Sequence, residues 1–132
     1  MSFTKWTFTL APIYGVLVLL PLYFLEEQTG RTDPPPITHP EYYYGFVGVA
    51  LVWQVAYFLC GRDPVRFRPF MLVCALAKAS WALTATTLFL QHRCPPTIFG
   101  ASMIDAILGV LFVVAYLKTT TGAATGSSTL DA

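Results

Sequence analysis

Lys78 stands eight positions into an apolar run, 70–90, that is long enough to cross a bilayer. A lysine at that depth costs between roughly 2.5 and well over 10 kcal/mol unless it is paired, faces a bundle interior or serves a function. Few partners are on offer: one carboxylate, Asp105, and one amide, Gln54, fall inside other apolar runs. An ammonium beside a carboxylate and an amide can hold helices together, receive the polar end of a ligand, or pass a proton or ion. From the residues alone, the structural and the functional readings both stay open.

A second constellation combines Glu26, Glu27, His39, Glu41, His92 and Asp105. Histidines with carboxylates can hold a divalent metal, but the His39-Pro40-Glu41 spacing gives no helical i,i+3 or i,i+4 ligand pair. The Glu-x-x-His pattern of di-iron bundles is also absent. No metal is therefore expected. His39, Glu41 and His92 read as loop or cap groups around an outer mouth or, alternatively, as a gate where His39 titrates near neutral pH. The chain has no nucleophile elbow, phosphate loop, HExxH or heme CxxCH, which weakens the case for an enzyme and identifies no cofactor. Cys60, Cys74 and Cys94 lack CxxC spacing, and the first two read as small apolar fillers.

The elements that must position these residues are apolar spans. Of 132 residues 55% are hydrophobic and only 11% charged, against about 25% charged in soluble proteins. With a mean hydropathy of +0.59, the chain reads as an integral membrane protein of one domain. A net charge of +1 gives no face for nucleic acid. Four spans are expected, at 8–25, 43–60, 70–90 and 101–117, each near the roughly 20 residues a crossing needs. Lys5 before the first span resembles the start of a signal peptide, but EEQTG follows without a small-residue cleavage pattern, so the span is read as a retained helix. Pro12 is expected in its first turn and Pro21 at a kink or break near its end.

The connections are punctuated more sharply than the spans. RTDPPPITHPE should be stiff and extended. GRDPVRFRP should be a short turn whose three arginines favour the cytoplasm. Lys5, Arg62, Arg66, Arg68 and Lys118 then lie inside, against Arg31 and Arg93 outside, so both termini are expected to be cytoplasmic. The small, polar tail 119–132 should be disordered.

If the second and third spans are antiparallel, a rise of about 1.5 Å per residue puts Gln54 roughly 9 Å and Lys78 roughly 12 Å from the arginine loop, with Asp105 about 18 Å from the same face. A lysine stem can bridge much of that gap. Gln54 shares a helical stripe with Tyr43 and Tyr57, Lys78 with Cys74 and Trp81, and Asp105 with Gly109. The candidate pocket is therefore Lys78, Asp105, Gln54, Tyr43, Tyr57 and Trp81. Tyr42, Tyr43 and Tyr44 also fit an interfacial belt, and the deep aromatics fit plain packing.

HPEYYYGFVGVALVWQ, and the turn GRDPVRFRPFMLV followed by a charged position in the third span, resemble small bacterial four-helix membrane proteins of the DoxX-like kind over 38–119. The resemblance implies the fold and a bacterial inner membrane, and it assigns no role to any residue.

The expectation is an all-α, four-helix transmembrane bundle over 1–118, N-in and C-in, in contact with the lipid bilayer. The leading function is a non-enzymatic accessory subunit, or a binder of a small apolar ligand such as a quinone or lipid. Its partner would then be that molecule or another membrane protein. The alternatives are a minimal transporter or proton-coupled carrier using Lys78 and Asp105, and an intramembrane isomerase.

Overall fold

The computed structural model describes residues 2–120. Helix α1 (Phe3–Leu19) tightens into a 3-10 segment (Leu20–Phe24), and a short helix α2 (Glu26–Thr32) follows. Three long helices follow: α3 (Pro40–Arg62), α4 (Arg68–Leu90) and α5 (Pro96–Lys118). Over the described residues the molecule is an all-α four-helix bundle with four helices long and apolar enough to cross a membrane.

Their ends extend beyond the expected spans because apolar windows ignore caps. Ser2 Oγ accepts from Lys5 N at 3.3 Å and starts α1 five residues early. Prolines occupy the first turns of α3, α4 and α5, where a missing N–H leaves nothing unsatisfied. Each 23-residue helix spans about 34 Å, enough for a hydrocarbon core of about 30 Å.

Several expectations change. Pro12 lies inside α1 rather than in its first turn, since the helix begins at Phe3. Pro21, in agreement with the expected break, falls in the 3-10 segment that ends the span. Arg31 and Thr32, expected in the extended connection, belong to α2, which carries acidic residues in its first turn and an exposed Glu27–Arg31 pair one turn apart. Thr119, expected in the tail, is buried: its Oγ1 donates to Ala115 O at 2.7 Å and lies 2.9 Å from Thr4 Oγ1. The rest of the expected disordered tail, 121–132, lies outside the described residues.

The packing is uneven. α1 lies closely along α3, α4 closely along α5, and α1 also meets α5. α3 and α4, although joined by the short turn 63–67, touch far less. The tight core occupies the half of the bundle nearest that turn. Phe8 of α1 stacks on Phe112 of α5 at 4.4 Å, Tyr57 of α3 meets Phe112 at 5.0 Å, and Met71, Cys60 and Cys74 are fully buried around them.

That end is closed by polar contacts. Arg68 Nε donates to Thr119 O at 2.6 Å and to Tyr116 O at 3.2 Å, satisfying carbonyls that the last turn of α5 would otherwise leave open. Lys118 lies over Phe3, and Thr4 Oγ1 donates to Ala115 O. The start of α1, the end of α5 and the arginine turn thus meet at one basic end. The perimeter is apolar: Leu17, Val52, Leu76, Leu83, Val110 and Leu117 are each more than 60% exposed. In water this would be a large sticky surface, whereas against lipid it is ordinary.

Candidate functional site

Lys78 sits on α4 where Gly109 lets α5 pass close to it. A Cβ at Gly109 would lie 3.2 Å from Lys78 Cβ, so the bare glycine makes room for the start of the lysine stem. Asp105 lies four residues earlier on α5, about 6 Å of helical rise away. The stem runs that distance along α5, and Nζ reaches 2.5 Å from Asp105 Oδ1. The two side chains are 11% and 21% exposed, so the pair is mostly shielded. Nζ also stands 5.2 Å from the Tyr57 ring centroid, and the ring face provides further compensation for the charge.

Where α3 and α4 diverge, all four long helices border a cleft of about 620 Å³. This falls in the size range of small-molecule sites, roughly 300–1,000 Å³. α3 supplies Phe46, Trp53, Gln54 and Tyr57, α4 supplies Lys78 and Trp81, α5 supplies Asp105, and α1 supplies Tyr14 and Gly15. Aromatic rings cross the α3–α4 seam in two places, with Phe46 5.1 Å from Trp81 and Trp53 6.0 Å from Phe70. The lining is therefore broad, flat and apolar, with one ion pair at its inner end. Lys78 has two further N–H donors after its bond to Asp105, and the carboxylate keeps free lone pairs. Such a pair offers hydrogen bonds to a carbonyl or hydroxyl without a net charge.

Five of the six expected pocket residues line this cleft: Lys78, Asp105, Gln54, Tyr57 and Trp81. Tyr43 does not line it. Its hydroxyl instead donates to Leu22 O at 2.6 Å, satisfying a carbonyl of the 3-10 segment at the other end of the bundle. Gln54 is in the cleft wall but does not bond Lys78. Its Nε2 donates to Ala50 O at 2.9 Å, one turn back on its own helix, and its Oε1 is buried against Gly15 without a hydrogen-bond partner. The expected three-residue cluster is therefore a pair beside a separately anchored amide.

The outer-mouth residues are dispersed. His39 Nδ1 lies 3.0 Å from Glu41 Oε1 on an exposed surface, Glu26 accepts from Tyr44 at 2.7 Å, Glu27 pairs with Arg31, and Asp105 faces Lys78. His92 occupies the α4–α5 turn with φ 57°, a left-handed position that ends α4. Among the described residues no group of three or more His, Cys, Asp or Glu is gathered as a metal site. Asp33 Oδ1 accepts from Thr97 at 2.9 Å and ties the proline stretch to the start of α5.

Two features escaped the sequence. Phe46 and Gly15 help form the cleft, and nothing in their local pattern separates them from lipid-facing or spacer residues. Cys60 and Cys74, read as independent fillers, lie with their sulfurs 3.9 Å apart. Their shared closeness to the arginine turn was the available signal. No family model, curated protein or solved structure matches the chain.

Proposed function

We propose that this protein is a non-enzymatic, DoxX-like membrane module that holds a small apolar ligand, a quinone or a lipid, in the cleft between α3 and α4. The observation that carries the reading is the cleft itself, an aromatic-walled space ending in a single neutralised ion pair. An apolar body would lie against Trp53, Phe46 and Trp81, and its carbonyl or hydroxyl would meet Lys78 and Asp105. A proton-coupled carrier is the weaker reading, since it needs a polar route to both faces and the stacked Phe8 and Phe112 fill the way toward the basic end. Intramembrane isomerisation is weaker still, because Asp105 is engaged with Lys78 and Glu41 is exposed beside His39.

Thermal unfolding in lipid nanodiscs, measured against a panel of quinones and lipids, tests the proposal. Saturation at one hundred times Kd stabilises a binding protein by about 2.7 kcal/mol, a shift of several degrees. Trp81→Ala should reduce the shift for the ligand that binds. A panel that leaves the melting point unmoved would remove the ligand reading and leave that of an accessory subunit.

We further propose a bacterial inner membrane with both termini in the cytoplasm, since the basic end carries Lys5, Arg62, Arg66, Arg68 and Lys118 and short loops obey the charge rule. In a cysteine-free background, a cysteine at Val65 should react only with a cytoplasmic probe and one at Thr32 only with an external probe. The opposite labelling would invert the topology.

A further inference from the structure

The hydrogen bonds around the cleft leave its acceptors short of donors. Among the described residues Asp105 accepts one side-chain bond, from Lys78 at Oδ1, while its Oδ2 accepts none, although the side chain keeps 21% of its surface open. Gln54 is only 4% exposed, and with its Nε2 committed to Ala50 O its Oε1 is left without a donor. Both residues line the same cleft. A shielded acceptor that meets no donor keeps the full cost of its lost hydration, and an apolar seam facing lipid supplies little water to offset it.

These acceptors select the polar end of a ligand. Quinone, ketone and ester heads carry acceptors alone, so they can take a bond from Lys78 but give none to Asp105 or Gln54. A phosphate or carboxylate head brings negative charge to a place where Asp105 already neutralises Lys78, and like charges repel. A hydroxyl does both jobs: its oxygen accepts from a spare Lys78 N–H while its proton goes to the free Asp105 oxygen. A second hydroxyl can serve Gln54. Its Oε1 rests in the notch left by Gly15, where a Cβ would collide with it, and Gly15 is itself part of the cleft wall. The last torsion of a glutamine is soft, so the amide can turn this oxygen toward a hydroxyl in the cleft.

We propose that the cleft takes a neutral lipid whose head is a vicinal diol, a monoacylglycerol in chemical class, with one hydroxyl on the Lys78–Asp105 pair and the other on Gln54 Oε1. The proposal rests on the ligand reading above and narrows it to a hydroxyl-donating head, which removes quinones. The acyl chain lies against Phe46, Trp53 and Trp81 and leaves toward the bilayer through the thin α3–α4 seam.

The test uses the full chain in nanodiscs of phosphatidylcholine, whose head has no hydroxyl, and reads thermal unfolding as one additive at a time is titrated in. The additives are 1-monooleoylglycerol, its di-O-methyl ether, phosphatidylglycerol and a benzoquinone with an alkyl tail. The ether keeps the acceptors and loses both donors, and phosphatidylglycerol carries a diol beyond a phosphate. Monooleoylglycerol should raise the melting point by several degrees, and the ether should need a roughly tenfold higher mole fraction for the same rise, the loss expected for a hydrogen bond to a charged group. Gln54→Met removes the orphaned acceptor and keeps an unbranched stem, so its melting point without additive should not fall, while its preference for diol over ether should shrink. Equal responses to diol and ether, or a quinone that acts as well as the diol, would overturn the hydroxyl assignment and leave the ligand reading in place. Phosphatidylglycerol acting at a lower mole fraction than monooleoylglycerol would overturn the neutral head. Full preference retained in Gln54→Met would overturn the contact with Gln54. No response to any additive would overturn both the assignment and the ligand reading.

Discussion

Lys78→Met should destabilise the bundle by about 3 kcal/mol or more, and Lys78→Met combined with Asp105→Leu should recover most of that loss. Methionine keeps an unbranched stem against Gly109 and Tyr57, so the change isolates the charge. What it leaves is a largely shielded carboxylate whose partner at 2.5 Å has gone. Removing both groups removes both desolvation costs, and breaking one partner of a shielded pair is commonly worse than replacing the pair with apolar side chains. Reversible unfolding of the single and double variants in mixed micelles measures the coupling. Losses that simply add would show that Lys78 and Asp105 do not act as a pair.

Gly61→Leu should be comparably damaging, through the backbone rather than through charge. Pro12 has no N–H, so the Phe8 carbonyl on α1 lacks its intrahelical donor. That carbonyl faces Gly61 of α3: a Cβ there would lie 3.0 Å from Phe8 O and 3.1 Å from its carbon. Neither atom can rotate away as the tip of a side chain would. Gly61→Ala requires α1 to move by a few tenths of an ångström, and leucine requires far more. Overpacking of this kind costs about 1–3 kcal/mol, with leucine at the upper end and alanine at the lower. The same micelle measurement should rank them in that order. Wild-type stability for Gly61→Leu would contradict so close an approach of α1 and α3.

The fold was legible because lipid demands it. Four apolar runs, and turns marked by Pro, Gly and Arg, leave few arrangements that satisfy every backbone group. Lys78 and Asp105 were legible for a related reason, since so costly a charge points to the one carboxylate that falls inside another apolar run. Gln54 misled because an amide has a nearby alternative that a sequence stripe cannot show, the carbonyl of Ala50 one turn away. Tyr43 misled because the carbonyl it serves belongs to a 3-10 segment created by Pro21. The cleft itself was out of reach, because it depends on how far α3 and α4 separate. That separation is set by small differences in packing along two apolar helices, and their composition does not encode it locally.

The pairing of α1 with α3 and of α4 with α5 has a consequence for biosynthesis. Each half is complete once its own second long helix has left the ribosome, so at translation speeds of about 5–20 residues per second the first can settle in the bilayer while the second is still being made. The cleft has no existence in either half. It arises at the final docking event, along the seam with the least to hold it shut, and that seam is where the finished molecule can open at the smallest cost.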